Sequence, residues 1–368
     1  MTDAIDQTYA GRSVLVTGHT GFKGSWLSLW LAQMGARVTG FSNTIPTSPS
    51  AYEIMELGAR MRDLRGEISD RDALVAAMAA AEPSIVFHLA AQAIVRRGFN
   101  DPFGTFQTNV MGTAAVLDAA CRVPSVRAVV IVTSDKVYDN NGSVWPFRET
   151  DPLGGHEPYG ASKAAAEIVA TTWRSAGFHK AAGSVNTPHV VTARAGNVIG
   201  GGDWAADRLL PDFVRAIAEQ RDQEIRQPRA TRPWQHVLEP VGGYLLLGSR
   251  LLQSPEAVPA ATNFGPLEPV MPDVEQVARK FLEQMKASAT KLKVAENPHS
   301  GEAHALRVDS SLAIARLGWR PAWTAVQAIS RAGEWYRAHL EGEADMVSLS
   351  QRQLAEYRSE TPVAALRS

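Results

Sequence analysis

Gly18-His19-Thr20-Gly21-Phe22-Lys23-Gly24 stands directly between the strand-like run Ser13-Val14-Leu15-Val16-Thr17 and a helical pattern from Ser25 to Met34. A second strand pattern follows at Ala36 to Phe41. Strand, glycine loop, helix and strand in this order restrict the chain to a βαβ start. In such a start the glycines allow a tight turn, and backbone N–H groups at the helix entrance can approach a pyrophosphate. The expected fold class is therefore α/β, a Rossmann-type doubly wound parallel sheet, and the expected ligand of this first part is a dinucleotide.

The spacing GxxGxxG resembles that of the short-chain dehydrogenase/reductase superfamily, and the GxxGFxG form is that of its extended branch. After Phe41 no acidic residue occupies the place that usually holds the adenosine ribose. Ser42 and Asn43 can replace only part of that contact, and no arginine follows to favour a 2′-phosphate. Lys23 is the cation nearby, either a cofactor neighbour or a solvated lysine at a helix start. Glu67-Ile68, after a short third strand, resembles the Asp-Ile pair with which the superfamily holds adenine. Ile85 to Leu89 is a continuous apolar strand, and small residues after it (Leu89-Ala90-Ala91, then Gln92) would let a ribose and nicotinamide lie against the backbone. Arg96 and Arg97 come one turn later. Thr108 and Asn109 open the next helix, and Asn109 looks like the family asparagine that orders backbone near the active site.

A second organising stretch lies further on. Val129-Val130-Ile131-Val132 reads as a buried parallel strand, and Thr133-Ser134-Asp135-Lys136 places a hydroxyl, a carboxylate and an amine at its carboxyl end, where open α/β sheets bind ligands. Tyr159 and Lys163 are i and i+4 on one helical face. An ammonium beside a phenol favours the phenolate, the state needed for a base that accepts a hydroxyl proton. After a strand at His189 to Ala193, the segment Arg194 to Trp204 has the glycine density of a binding loop. Arg194, Asn197, Arg208 and Arg232 are candidates for a diphosphate, because guanidinium forks match phosphate oxygens. Trp234-Gln235-His236 offers an aromatic plane and an amide to a base; the alternative is a charged loop around a packed tryptophan.

The 368 residues, 45% of them hydrophobic, are enough for two closely joined domains. Residues 11–193 form the expected dinucleotide-binding domain, with 237–262 returning to it. Residues 194–236 and 263–340 form a smaller, mainly helical substrate domain, and residues 341–368 a polar extension. A formal net charge of −1 offers no general field for nucleic acid or anionic membranes, which favours a small-molecule substrate. The lone Cys121 excludes an intrachain disulfide and a Cys-based metal cluster, so no metal is expected. No export signal and no stretch of about 18 apolar residues is visible, so a cytoplasmic protein is expected.

From Val14 to about Leu340 the chain is similar to the nucleotide-sugar 4,6-dehydratases, most of all to those acting on CDP-glucose. The motifs carrying this are GHTGFKGSWL (18–27), HLAAQ (88–92), TNVMGT (108–113), TSDKVYDN (133–140), ARAGNVIGGGDWA (193–205) and RPWQHVLEP (232–240). The resemblance implies a redox-neutral loss of water with NAD as a temporary hydride store, and a homo-oligomer. It also assigns roles. Tyr159 beside Lys163 takes the C4 hydroxyl proton, Ser134 holds the C4 oxygen, and Asp135 in its acid form protonates the departing C6 hydroxyl. The usual glutamate after the aspartate is Lys136 here, which is either the C5 base or a cation that stabilises the enolate. A 4-epimerase would share the cofactor motifs but needs no acid-base pair behind Ser134. Two departures from the family are the segment Asn141 to Phe147, and Gly160 where serine is usual.

Overall fold

The structure, a computed structural model, describes residues 2–175, 178–179, 182–295, 306–342 and 345–361. Eleven strands are found among them: β1 (Ser13–Thr17), β2 (Arg37–Ser42), β3 (Arg62–Arg65), β4 (Ile85–His88), β5 (Ala128–Val132), β6 (His189–Ala195), β7 (Val198–Ile199), β8 (Gln223–Ile225), β9 (Gln235–His236), β10 (Ala261–Phe264) and β11 (Leu292–Val294). Seven of these build one sheet in the order β3-β2-β1-β4-β5-β6-β10, with every neighbouring pair parallel.

Alternation along the strands makes the layers. Val14, Val16, Val130 and Val132 face one hydrophobic core, while Leu15, Val129 and Ile131 face a second on the opposite side. Both faces are covered, so these strands read as continuous apolar runs. The chain winds outward from β1 to β3, then returns to β4 on the other side of β1. That reversal puts the carboxyl ends of β1 and β4 side by side, Thr17 opposite His88, and opens the crevice where ligands of such sheets bind.

The helix Phe22–Gln33 is buried without interruption from Gly24 to Leu31 because it is covered twice. One side lies on the sheet. On the other, Trp26 donates to the Gly201 carbonyl at 2.9 Å and Trp30 meets Tyr357 edge to face. The helix Leu238–Gln253 returns to the sheet as the sequence predicts and is almost wholly buried. The helices Val274–Gln284, Ser311–Leu317 and Ala325–Glu341 belong to the mainly helical part, and two short parallel pairs that the sequence did not suggest, β7 with β9 and β8 with β11, accompany them. No helix among the described residues is long and apolar enough to cross a membrane.

Two segments depart from the sequence reading. The polar start forms a helix, Thr2–Tyr9, whose Ile5 and Tyr9 are buried; Tyr9 donates to the Leu245 carbonyl at 2.8 Å. The stretch expected to be an unpatterned extension contains the helix Met346–Glu360, capped by Asp345 and burying Leu349, Leu354 and Tyr357. Its apolar positions are too sparse to betray it. Polar bonds fix it instead: Trp335 donates to Ser350 at 2.8 Å, Gln353 to the Arg331 carbonyl at 2.9 Å, and the Tyr357 hydroxyl to Glu239 at 2.8 Å. Glu239 in turn accepts the Trp323 N–H at 2.7 Å. Tyr357→Ala should therefore cost about 3–5 kcal/mol of stability. Tyr357→Phe, which removes one bond to a buried carboxyl, should cost about 1–3 kcal/mol. Urea unfolding of the two variants measures both, and a Tyr357→Ala protein as stable as the parent would show the helix to be dispensable.

Candidate active site

The glycine loop is built for close backbone approach. Gly18 has a positive φ of +74°, and a Cβ there would lie 2.5 Å from the Ala90 nitrogen; one on Gly24 would lie 2.1 Å from the Gly18 oxygen. At Gly21, the N-cap of the helix, the space is open, with only the Gly18 oxygen at 3.4 Å. Loop, helix entrance and the half-buried Leu89, Ala90 and Ala91 thus form a cradle with exposed backbone, which fits a dinucleotide.

The adenosine end differs from the sequence expectation. His19 does not face the cradle: its side chain is fully buried, with Nδ1 3.0 Å from the Ser42 hydroxyl and Nε2 2.9 Å from Asp63. Ser42 is thereby occupied internally, while Asn43 is exposed and donates to Glu67 at 3.3 Å. Ile68 is buried against Gly112. Asp63, opposite Gly40 on the neighbouring strand, also accepts from Tyr52 at 2.5 Å and Arg65 at 2.6 Å. Burial works against its charge, but those hydrogen bonds hold its carboxyl below the usual range. Nothing in the local sequence pattern singles Asp63 out. Two of its partners, His19 and Tyr52, come from other segments, and Arg65 from its own strand.

Lys23 is not a solvated lysine. It is half-buried, 3.5 Å from the Tyr244 hydroxyl, and burial together with the Arg208 charge pushes its amine down to about 8, with Asp135 pulling the other way. Gln92 is tied into its own surroundings, donating to Thr105 at 3.0 Å and accepting from the Ile94 N–H at 2.6 Å. Thr108 is half-buried in a π-helical segment, Gln107–Met111, whose Asn109 side chain clasps the Gln92 backbone at 2.8 and 3.0 Å and the Ser162 hydroxyl at 2.9 Å.

At the end of β5 the chain turns through the short 3₁₀ helix Asp135–Val137. The Ser134 hydroxyl caps the Lys136 N–H at 3.2 Å and donates to one Asp135 oxygen at 3.0 Å. The other Asp135 oxygen is buried and has no hydrogen-bond partner. Burial raises the Asp135 carboxyl above its usual range, although Lys136, Ser134, Lys23 and Arg232 all pull it down. Tyr159 and Lys163 share the helix Pro158–Trp173, as their spacing requires. Their electrostatics differ from the expectation. The Lys163 amine donates to the Val132 carbonyl at 3.0 Å, and burial lowers it to about 8. Burial likewise pushes the Tyr159 phenol up to about 12 against the pull of Ser134 and Arg208, so no phenolate is ready-made. Gly160 has a steric reason: a Cβ there would lie 2.8 Å from the Lys136 carbonyl oxygen.

The substrate side needs larger corrections. Arg194 is no phosphate ligand. Its guanidinium is buried and bidentate to Glu167, at 2.9 and 3.0 Å, with a third bond to the Tyr138 hydroxyl at 2.9 Å. Trp234, Gln235 and His236 are buried in the core. Gln235 donates to the Phe264 carbonyl at 3.0 Å, and His236 packs edge to face against Trp26 and Trp323, where burial lowers it to about 3 and keeps it neutral. Gly201 to Trp204 is also buried; a Cβ at Gly201 would fall 2.0 Å from Trp335. A run of polar and aromatic letters could not distinguish a binding loop from a packed one. Asn197 remains exposed and Arg232 half-exposed. Arg208, held by Asp203 at 2.8 Å, carries a charge that is felt at Tyr159. Arg96 spans the cleft to Asp207 at 2.7 Å. Among the described residues no group of three or more possible ligands could hold a metal ion.

A glycine cradle at a sheet reversal, with a tyrosine and lysine one turn apart beside the neighbouring strand end, defines a Rossmann-fold enzyme of the short-chain dehydrogenase/reductase class. Residues 15–332 match the family described as GDP-mannose 4,6 dehydratase. The CDP-glucose 4,6-dehydratase of Salmonella typhimurium is 44% identical over 358 residues, covering 97% of this chain and 99% of that one. The chain belongs to this family of nucleotide-sugar 4,6-dehydratases. Among solved structures, a dTDP-glucose 4,6-dehydratase of Streptomyces venezuelae shares the fold with a TM-score of 0.74 at 23% identity, covering 90% of this chain and 99% of that one. A UDP-glucose 4-epimerase of Thermotoga maritima does so with a TM-score of 0.75 at 21% identity, covering 89% and 99%.

The internal role of Arg194 has a measurable consequence. Arg194→Ala leaves the Glu167 carboxylate buried without its cation and should cost about 3–5 kcal/mol. The double variant Glu167→Leu/Arg194→Met should recover most of that loss. Chemical unfolding measures the cycle, and a stable Arg194→Ala protein with weakened diphosphate binding would return Arg194 to the substrate.

Proposed function

We propose that this protein converts CDP-glucose into CDP-4-keto-6-deoxyglucose and water. The observation that carries the chemistry is Asp135, a buried carboxyl with a raised pKa and a free oxygen, at the same strand end as Ser134 and one helix entrance from Tyr159. A carboxyl whose pKa is raised by burial is suited to give up a proton as a general acid, and a 4-epimerase has no need of one. The choice of CDP-glucose rests on likeness to the Salmonella typhimurium enzyme.

The cradle of Gly18, Thr20, Gly21, Phe22 and Gly24, with Leu89 to Ala91 opposite, fits NAD. NAD, when bound, supplies a hydride acceptor at C4 and a donor at C6, so none is consumed. Tyr159 takes the proton of the C4 hydroxyl, and Ser134 holds that oxygen. Once C4 is a ketone the C5 proton is acidic, and Lys136 either removes it or steadies the enolate. Asp135 gives its proton to the C6 oxygen, the C6–O bond breaks and water leaves. Tyr159 can take the C4 proton only as phenolate, after its own proton has left to solvent, and Lys163 in its cationic form steadies that phenolate until the C4 proton neutralises it. Arg208, Arg232, Asn197 and Arg96 remain as the groups for the diphosphate. A second copy of the chain is the proposed partner, where Phe99, Phe103, Phe106, Met111 and Ile168 are exposed on helices that contact one another. Work in the cytoplasm agrees with the single, unpaired Cys121.

Incubation with CDP-, dTDP-, UDP- and GDP-linked hexoses, followed by mass spectrometry, tests the reading. CDP-glucose should lose one water and be preferred over dTDP-glucose by at least about tenfold in kcat/KM, which is about 1.4 kcal/mol. Equal use of both would overturn the nucleotide assignment, and an isomerised product of unchanged mass would overturn the dehydratase. Tyr159→Phe should lower turnover by about two to four powers of ten. Asp135→Asn should stop after the first oxidation, seen as the near-ultraviolet absorbance of reduced nicotinamide; a block without that signal would place Asp135 earlier. Because Lys163 sits at about 8, activity should fall as pH rises past that value and the ammonium is lost. A flat profile to pH 10 would separate Lys163 from the proton chemistry.

A further inference from the structure

Gly196 lies in the turn after β6, partly exposed, at the strand end next to Asp135. A Cβ on it would fall 2.6 Å from the unpartnered Asp135 oxygen and 2.6 Å from Cγ of Pro233. Both distances are too short for any real side chain. Pro233 is buried and its ring is rigid, so it cannot yield; the carboxyl, on its single-carbon arm, is the group that would have to swing away.

We propose that Gly196 is a positioning residue of the dehydration reaction proposed above: its missing side chain lets the backbone after β6 and the Pro233 ring close over the Asp135 carboxyl and keep water from it. The groups that face this carboxyl explain why such a seal is needed. Ser134 donates to it from its own turn, Lys136 follows it in sequence, Lys23 approaches from the helix Phe22–Gln33, and Arg232 precedes Pro233. The Tyr159 phenol, on the helix Pro158–Trp173, and the Tyr244 phenol, on the helix Leu238–Gln253, both register its charge. Three cations and a hydroxyl donor all favour the carboxylate. Only desolvation favours the acid, and desolvation is what the close backbone and the proline ring supply. Opening either wall admits water, tips the balance toward the carboxylate and removes the proton that the departing hydroxyl needs.

Gly196→Ala and Pro233→Ala test this from the two walls. Selective ¹³C labelling of aspartate carboxyls, with Asp135→Asn to assign the signal, gives the titration midpoint of Asp135 in the folded protein without any substrate. That midpoint should move to lower pH in both variants. Turnover of CDP-glucose should fall about 10- to 100-fold at neutral pH, part of what a general acid contributes, with KM changed far less. Reduced nicotinamide should accumulate, because the first oxidation does not use the acid. If Gly196→Ala does not fold, Pro233→Ala decides, since it removes the ring carbons, restores one backbone N–H and brings no new atom into overlap with Asp135. An Asp135 midpoint unchanged in the folded variants overturns the proposal whatever the substrate proves to be. A native enzyme that fails to dehydrate CDP-glucose but shows the shift in both variants overturns the substrate reading alone.

Discussion

Glu167 and Arg194 form the contact on which the rest of the site hangs. Their two charges are buried together, and the carboxylate is further satisfied by Thr133 at 2.6 Å and Thr192 at 2.7 Å. A buried pair of this kind contributes little net stability but strongly disfavours any arrangement that separates its members. Here the members belong to different parts of the fold. Glu167 is one turn beyond Lys163 on the helix Pro158–Trp173, Thr133 directly follows β5, and Thr192 and Arg194 belong to β6. Through Tyr138, which donates to Asn263 at 2.7 Å, the network also reaches β10. Helix and strand ends are thereby locked in one register. Ser134 and Asp135 follow Thr133 directly, so the distance from Asp135 to Tyr159 is set by a pair that touches neither.

Protonation states at the site are decided by burial more than by neighbours. Tyr159 and Asp135 are both pushed toward their neutral forms although cations surround them, and Lys163 and Lys23 are both pushed toward neutrality as amines. Burial therefore favours the neutral form of each group, keeping the proton on Tyr159 and Asp135 and drawing it off the two lysines. A diphosphate bound near Arg208 and Arg232 would add negative charge beside Asp135 and so raise the cost of ionising it further.

The sheet, the glycine loop and the placement of Tyr159 and Lys163 on one helix were legible because each is a local pattern: period-two or continuous apolar strands, a glycine spacing, an i, i+4 spacing. The misreadings share one physical cause. Arg194, His19, Trp234, Gln235 and His236 are residue types that bind ligands on loops and satisfy one another in cores, and only the three-dimensional partners decide which. His19 sits within the glycine motif, yet its ring fills the space over Gly40 and bonds Asp63 from β3, a residue 44 positions away. Glu167 could have been noticed, since it repeats the four-residue step from Lys163 on the same helical face. The helix Met346–Glu360 was hidden because polar bonds to Glu239, Arg331 and Trp335, not a hydrophobic stripe, hold it.

That last helix also reaches back to the first: Arg358 pairs with Asp6, 352 positions away, and Tyr357 packs on Trp30. Closing a loop of that length from an open chain costs about 5 kcal/mol in entropy, so the contact forms only after the intervening sheet has drawn the two segments together. During synthesis the stretch holding Asp6 and Trp30 leaves the ribosome roughly tens of seconds before Tyr357 and Arg358, which meet them. Through that interval Asp6 and Trp30 wait without these partners. The contact between the two helices is thus a late step of folding, made only when the rest of the sheet is in place.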